Sequence, residues 1–93
     1  MKYAKVDKNQ PEIVKALRGC GAVVKHVHTV KNLFDILVYH KGITYNVEIK
    51  ANKTSKLTKG ELECKKDLES VNIKYWVLYS VDDALEMINE KTE

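Results

Sequence analysis

Asp35, Glu48 and Lys50 are the residues whose types and spacing could do chemistry. Phe34-Asp35-Ile36-Leu37-Val38-Tyr39-His40 and Ile43-Thr44-Tyr45-Asn46-Val47-Glu48-Ile49-Lys50 read as two strands, and Lys41-Gly42 is the tight turn between them. That turn sets the register and places Asp35 opposite Glu48, with Cβ atoms about 4.5–5.5 Å apart. Two carboxylates this close repel unless a cation or a proton lies between them. Side chains alternate along a strand, so Lys50 shares the face of Glu48. Oxygen ligands of this kind suit Mg²⁺, which is commonly held by one or two carboxylates. Such a metal polarises a phosphate and lowers the pKa of an attacking water, while a lysine beside it orients the water or stabilises the charge that builds up. The competing reading is a solvated cross-strand pair. Glu-x-Lys alone carries little weight, because Glu63-Cys64-Lys65 repeats it on a helix. The register with Asp35 is what distinguishes Glu48.

The surrounding elements follow from periodicity. Ile13, Ala16, Leu17 and Cys20 give one apolar face to a helix from about residue 10 to Arg18, with Pro11 in its first turn. Asn9 and Glu12 fit a capping box at its start, and Gly19 and Gly21 close it. Ala22 to about His28 reads as a strand. A second helix begins after Thr58 and runs to about Ser70, with Leu57, Glu61, Cys64, Leu68 and Val71 as its inward stripe. Thr58 and Glu61 fit another capping box, so Glu61 has a purely structural rival to any role in the site. Tyr75-Trp76-Val77-Leu78-Tyr79 reads as a strand covered on both faces, with Trp76 in the core. Ser80 and Asp83 cap a last helix that buries Val81, Ala84, Leu85 and Ile88. The unit from Ile43 to Tyr79 is then a parallel crossover. The expected fold is α/β, in the order αβββαβα, with a mixed four-stranded sheet flanked by helices. His40 is expected to be exposed beside the turn, and Tyr39 to pack under a helix. His26 and His28 share a strand face and could chelate a transition metal, but the sequence offers no third ligand.

The whole-chain numbers bound the rest. A chain of 93 residues is expected to form one domain and buries only about 60–65% of its unfolded surface, which favours dimerisation. No apolar run approaches the roughly 20 residues needed to span a bilayer. Met1 to Asp7 lacks the apolar core of a signal peptide, so an intracellular location is expected. Cys20 and Cys64 are then reduced thiols in or near the core. The net charge of +3 does not mark a nucleic-acid binder, but its distribution is informative. Lys53, Lys56 and Lys59 recur along the loop that leaves Lys50, and Lys65 and Lys66 follow on the next helix, where they could contact phosphates.

The element order and the run Asp35…Glu48-Ile49-Lys50 together resemble the PD-(D/E)XK nuclease superfamily, a restriction-endonuclease-like fold. The closer resemblance is to small standalone VRR-NUC domains. It rests on Glu12, on Asn32-Leu33-Phe34-Asp35, on Glu48-Ile49-Lys50 and on Leu57-Thr58-Lys59-Gly60-Glu61. The ending Trp76 to Leu85 extends it over nearly the whole chain. Asn32 stands where the family has Gly, Phe34 where it has Pro, and Glu61 where it has Gln. The resemblance implies a Mg²⁺- or Mn²⁺-dependent endonuclease that acts as a homodimer on DNA, branched DNA such as four-way junctions included. It implies Asp35, Glu48, the Ile49 carbonyl and Glu12 as metal ligands, with Lys50 and Glu61 assisting catalysis. The alternative is a non-catalytic nucleic-acid-binding module on the same fold.

Overall fold

The computed structural model describes residues 7–90. The stretch Met1 to Val6, read above as lacking a leader's apolar core, lies outside them. Seven elements follow in the expected order: α1 (Gln10–Gly19), β1 (Val23–His26), β2 (Ile36–His40), β3 (Ile43–Ile49), α2 (Lys59–Ser70), β4 (Tyr75–Leu78) and α3 (Val81–Asn89). The strands form one sheet in the order β1-β2-β3-β4. β1, β2 and β3 are antiparallel, and β4 runs parallel to β3 because α2 carries the chain back across the sheet. The β2–β3 register is the expected one, with Ile36 opposite Val47 and His40 opposite Ile43. Lys41 (φ 49°) and Gly42 (φ 81°) both take left-handed backbone, as a two-residue hairpin turn demands.

Alternation sorts the side chains into two apolar cores. Ile36, Val38, Val47 and Ile49 face α1 and α3, where Ile13, Leu17, Ala84 and Met87 cover them. On the opposite face Phe34, Cys64 and Tyr75 pack with partly buried Leu37, Leu57, Leu68 and Val77 under α2. The second core is the smaller, and several expectations fail there. Val71 is 65% exposed, because α2 has ended at Ser70. Tyr39 is exposed beside Val23, so no helix covers the outer end of the β1–β2 pair on the α2 face. His40, expected to be solvated, is buried on the face that carries Ile36 and Val38.

Other corrections concern helix ends. Cys20 is exposed as the C-cap of α1 rather than part of its apolar face, whereas Cys64 is buried; both are free thiols. Gly19 is the last helical residue, and Gly21 (φ 91°) turns the chain. Asn9 makes no side-chain cap. Its Nδ2 instead donates to the carbonyls of Lys50 (3.0 Å) and Tyr79 (2.9 Å), so it ties α1 to the ends of two strands. Ser80 caps α3 as expected, but Asp83 accepts from the Tyr79 N–H rather than from Ser80. Trp76 is half-buried and lies edge-on to Tyr45, with Lys74 Nζ 3.8 Å above its ring. Leu85 is half-buried and Met87 takes the core position. No helix among the described residues is long and apolar enough to cross a membrane.

Candidate active site

Asp35 enters β2, Glu48 lies near the end of β3, Lys50 follows it, and Glu61 sits in the first turn of α2. Four local devices hold them together. The Asp35 N–H donates to Val47 O at 2.9 Å, and Asp35 Oδ2 accepts the Ile49 N–H at 2.7 Å, which fixes the carboxylate against β3. Phe34 is buried edge-on to Tyr75, with centroids 6.4 Å apart, and anchors the chain just before Asp35. Asn32 adopts φ 60°, a conformation Asn tolerates better than most residues, which accounts for an Asn where the resembling family has Gly. Its side chain fills the space where a Cβ on Gly60 would sit, so the loop and the start of α2 interlock. Finally, Thr58 and Glu61 form the expected capping box, with Thr58 N–H to Glu61 Oε1 at 2.9 Å.

That capping box does not exclude Glu61 from the site. The same Oε1 lies 2.8 Å from Lys50 Nζ, and Lys50 Nζ is 3.6 Å from Glu48 Oε2. Asp35, Glu48, Thr58 and Glu61 line one cleft of about 130 Å³. Two carboxylates, Glu48 and Glu61, therefore converge on one ammonium, with Asp35 beside Glu48. Glu48 is only 4% exposed. Burial, then the charges of Asp35 and Glu61, push its pKa up to about 9. Burial also raises Asp35, although the Ile49 N–H works against it. Partial burial would raise Glu61 too, but hydrogen bonds from Lys50 and the Thr58 N–H hold it below the usual carboxylate value. Lys50 is raised: its burial opposes the charge, and Glu61 and Glu48 more than offset it. The Tyr75 hydroxyl, buried and without a partner among the described residues, is raised by burial and by Glu48.

Not every expected residue reaches this cleft. Glu12 is exposed on α1 and does not line it. The acid whose charge does reach Asp35 and Lys50 is Asp7, just before α1. Lys53, Lys56, Lys59 and Lys66 are exposed, outside the cleft lining. Lys53 borders a groove beside α3, and Lys65 pairs with Glu69 at 2.9 Å. Sequence reasoning missed Asp7, Lys31 and Tyr75, and read His28 only as a possible chelator with His26, not as part of this cleft. Asp7 and Lys31 sit in aperiodic segments, and Tyr75 read only as a strand aromatic. His26 and His28 approach edge to face, with centroids 5.8 Å apart.

The donor set suits a hard divalent cation: two adjacent carboxyl groups, Glu48 buried and Asp35 half-buried, with Glu61 nearby, all oxygen. Among the described residues, however, no three His, Cys, Asp or Glu side chains are arranged to hold a metal ion. Two side-chain ligands, backbone carbonyl and water would have to complete the shell.

No family model matches the chain, and no curated protein matches it. A solved structure described as a VRR_NUC domain does. It is 17% identical, has a TM-score of 0.71, and is covered completely while covering 94% of this chain. The fold is therefore VRR-NUC-like, as the sequence resemblance implies.

Proposed function

We propose that this protein is a metal-dependent endonuclease, one VRR-NUC-like domain over residues 1–93, that hydrolyses phosphodiester bonds in DNA, branched DNA in particular. The observation that carries the reading is the adjacent Asp35–Glu48 pair, Glu48 buried and Asp35 half-buried, beside the Lys50–Glu61 ion pair. Asp35 and Glu48, with the Ile49 carbonyl, would hold Mg²⁺ or Mn²⁺. When bound, that ion polarises the scissile phosphate and lowers the pKa of the attacking water. Lys50 positions the water and balances charge growing on the phosphate. Glu61 holds the Lys50 ammonium in place through the 2.8 Å contact. The water oxygen forms a new P–O bond as the bond to the leaving sugar oxygen breaks, and the proton lost by the water is balanced by one gained by that oxygen. Glu12, exposed on α1, remains an outer candidate for contact with the ion or with DNA. Lys53, Lys56, Lys59, Lys65 and Lys66 would steer phosphates, and a homodimer would present two clefts to a four-way junction.

A specific observation favours a second reading. The Lys50–Glu61 contact occupies the family's Gln position with a charge, and no three-carboxylate cluster forms among the described residues. On that reading the protein is a non-catalytic nucleic-acid-binding module. Metal titration separates the two. Mg²⁺ or Mn²⁺ at a hundredfold excess over Kd should stabilise the wild type by about 2.7 kcal/mol and release protons. Glu48→Gln should lose both effects. Equal stabilisation of both proteins would contradict the assignment.

A further inference from the structure

A second cavity, of about 470 Å³, lies between the first turns of α1 and the end of β1, with a predominantly apolar lining. Pro11 and Val14 supply aliphatic surface, His26 and His28 supply rings, and Lys15 and Arg18 supply positive charge. Arg18 is braced, since its Nη2 donates to Val24 O at 2.9 Å. Gln10 also lines the cavity and is 2% exposed. Its Nε2 lies 3.4 Å from His26 Nδ1, while its Oε1 has no partner among the described residues. His28 Nδ1 is likewise buried and without a partner among the described residues. Buried polar atoms without partners are uncommon and costly, and a ligand is one explanation for them. His28 lines the acidic cleft as well, so the two sites adjoin.

The chemistry of this lining is specific. A glutamine amide presents a donor and an acceptor in one plane, which matches the edge of a nucleobase. Flat rings and aliphatic side chains take the face of a base. Cations at the same cavity take its phosphate. The volume falls in the range of roughly 300–1,000 Å³ typical of small-molecule sites. Desolvation, then Arg18 and His28, hold His26 below the usual imidazole pKa.

We propose that this cavity binds one unstacked nucleotide, its base edge on the Gln10 amide and its phosphate toward Lys15 and Arg18. The placement of that nucleotide next to the scissile phosphate rests on the nuclease reading; the cavity itself does not. It gives the protein a way to select branched DNA, where unpaired bases are available, over continuous duplex.

The test is nuclear magnetic resonance of the full chain in EDTA, titrated with deoxyadenosine monophosphate or with inorganic phosphate. The nucleotide should shift the Gln10 side-chain amide and the His26 and His28 ring signals, and phosphate alone should not. Gln10→Leu, if folded, should weaken nucleotide binding roughly tenfold, as expected for loss of one bidentate contact. Lys15→Glu, on the helix surface, should weaken it and serves where Gln10→Leu does not fold. Absence of these shifts, or their reproduction by phosphate alone, would overturn the proposal. A second arm uses a junction with 2-aminopurine at the branch. A fluorescence change lost in Lys15→Glu supports a strand nucleotide, and a response to free nucleotide alone overturns the strand placement. Failure of the wild type to cleave DNA would leave these readouts intact, so the two readings fail separately.

Discussion

Glu48 concentrates the conflict between folding and function. Its pKa in the folded protein is about 9, against an ordinary value of 4.5. Between those values the folded protein keeps a proton that the unfolded chain has released, so stability falls as pH rises. The favourable contribution is complete below about pH 4.5 and gone above about 9. Metal-free Glu48→Gln should therefore melt above the wild type at pH 8.5, by on the order of 5 °C, and the gap should close toward pH 5. Added Mg²⁺ should reverse the order, because only the wild type gains a ligand. A scanning-calorimetry series over pH, with and without Mg²⁺, checks both statements. Asp35, Glu48 and Lys50 were legible in the sequence because a two-residue turn and period-two alternation fix their faces without further information. The burial of Glu48 was not, since it depends on where α2 lies. The contribution of Asp7 was hidden for a similar reason, because an isolated acid before a helix carries no periodic signal.

The elements meet at two joints. Asn9 donates to Lys50 O and Tyr79 O, so it acts as a clamp between α1 and the strand ends rather than as a cap. A capping role would tolerate Asn9→Asp. The clamp predicts that Asn9→Asp costs about 2–3 kcal/mol in urea unfolding, because a carboxylate would face two carbonyls. Asn9→Ala, which removes the donors without adding charge, should cost less. At the other joint, Asn32 occupies the space over Gly60. Gly60→Ala alone forces the Asn32 side chain to move, whereas in an Asn32→Gly background the new methyl no longer meets it. The double-mutant cycle should give a coupling of about 1 kcal/mol; additivity would remove the interlock from the account. The strand and helix order was readable from the helical periodicity, the two-residue hairpin turn and the continuous apolar run Tyr75–Tyr79, although the alternation of the first strand is poor. Tyr39, His40 and Val71 were placed wrongly because a sequence shows which residues share a face but not how far a crossing helix covers it.

At the scale of the whole molecule, exposed charge is mixed, with Glu12, Glu63 and Asp82 at the surface as well as lysines. The acids Asp35, Glu48 and Glu61 converge on the cleft, while Lys53, Lys56, Lys59 and Lys66 are exposed outside it. On the proposed reading, the exposed lysines attract a polyanion and present its phosphates to the Asp35–Glu48 pair. DNA affinity should fall with salt, and replacing Lys53, Lys56 and Lys59 by Ala should reduce the slope of log K against log[salt] by up to about 3, roughly uniformly across sequences. The central claim, that the Asp35–Glu48–Lys50 cluster cuts phosphodiester bonds, is tested most directly by cleavage of a labelled four-way junction in Mg²⁺ or Mn²⁺. Duplex and single strands are the controls, and wild type is compared with Glu48→Gln and Lys50→Ala. The account predicts junction cleavage by the wild type and its loss in both variants with DNA binding retained; a wild type that binds the junction but cuts no substrate with either metal would contradict it.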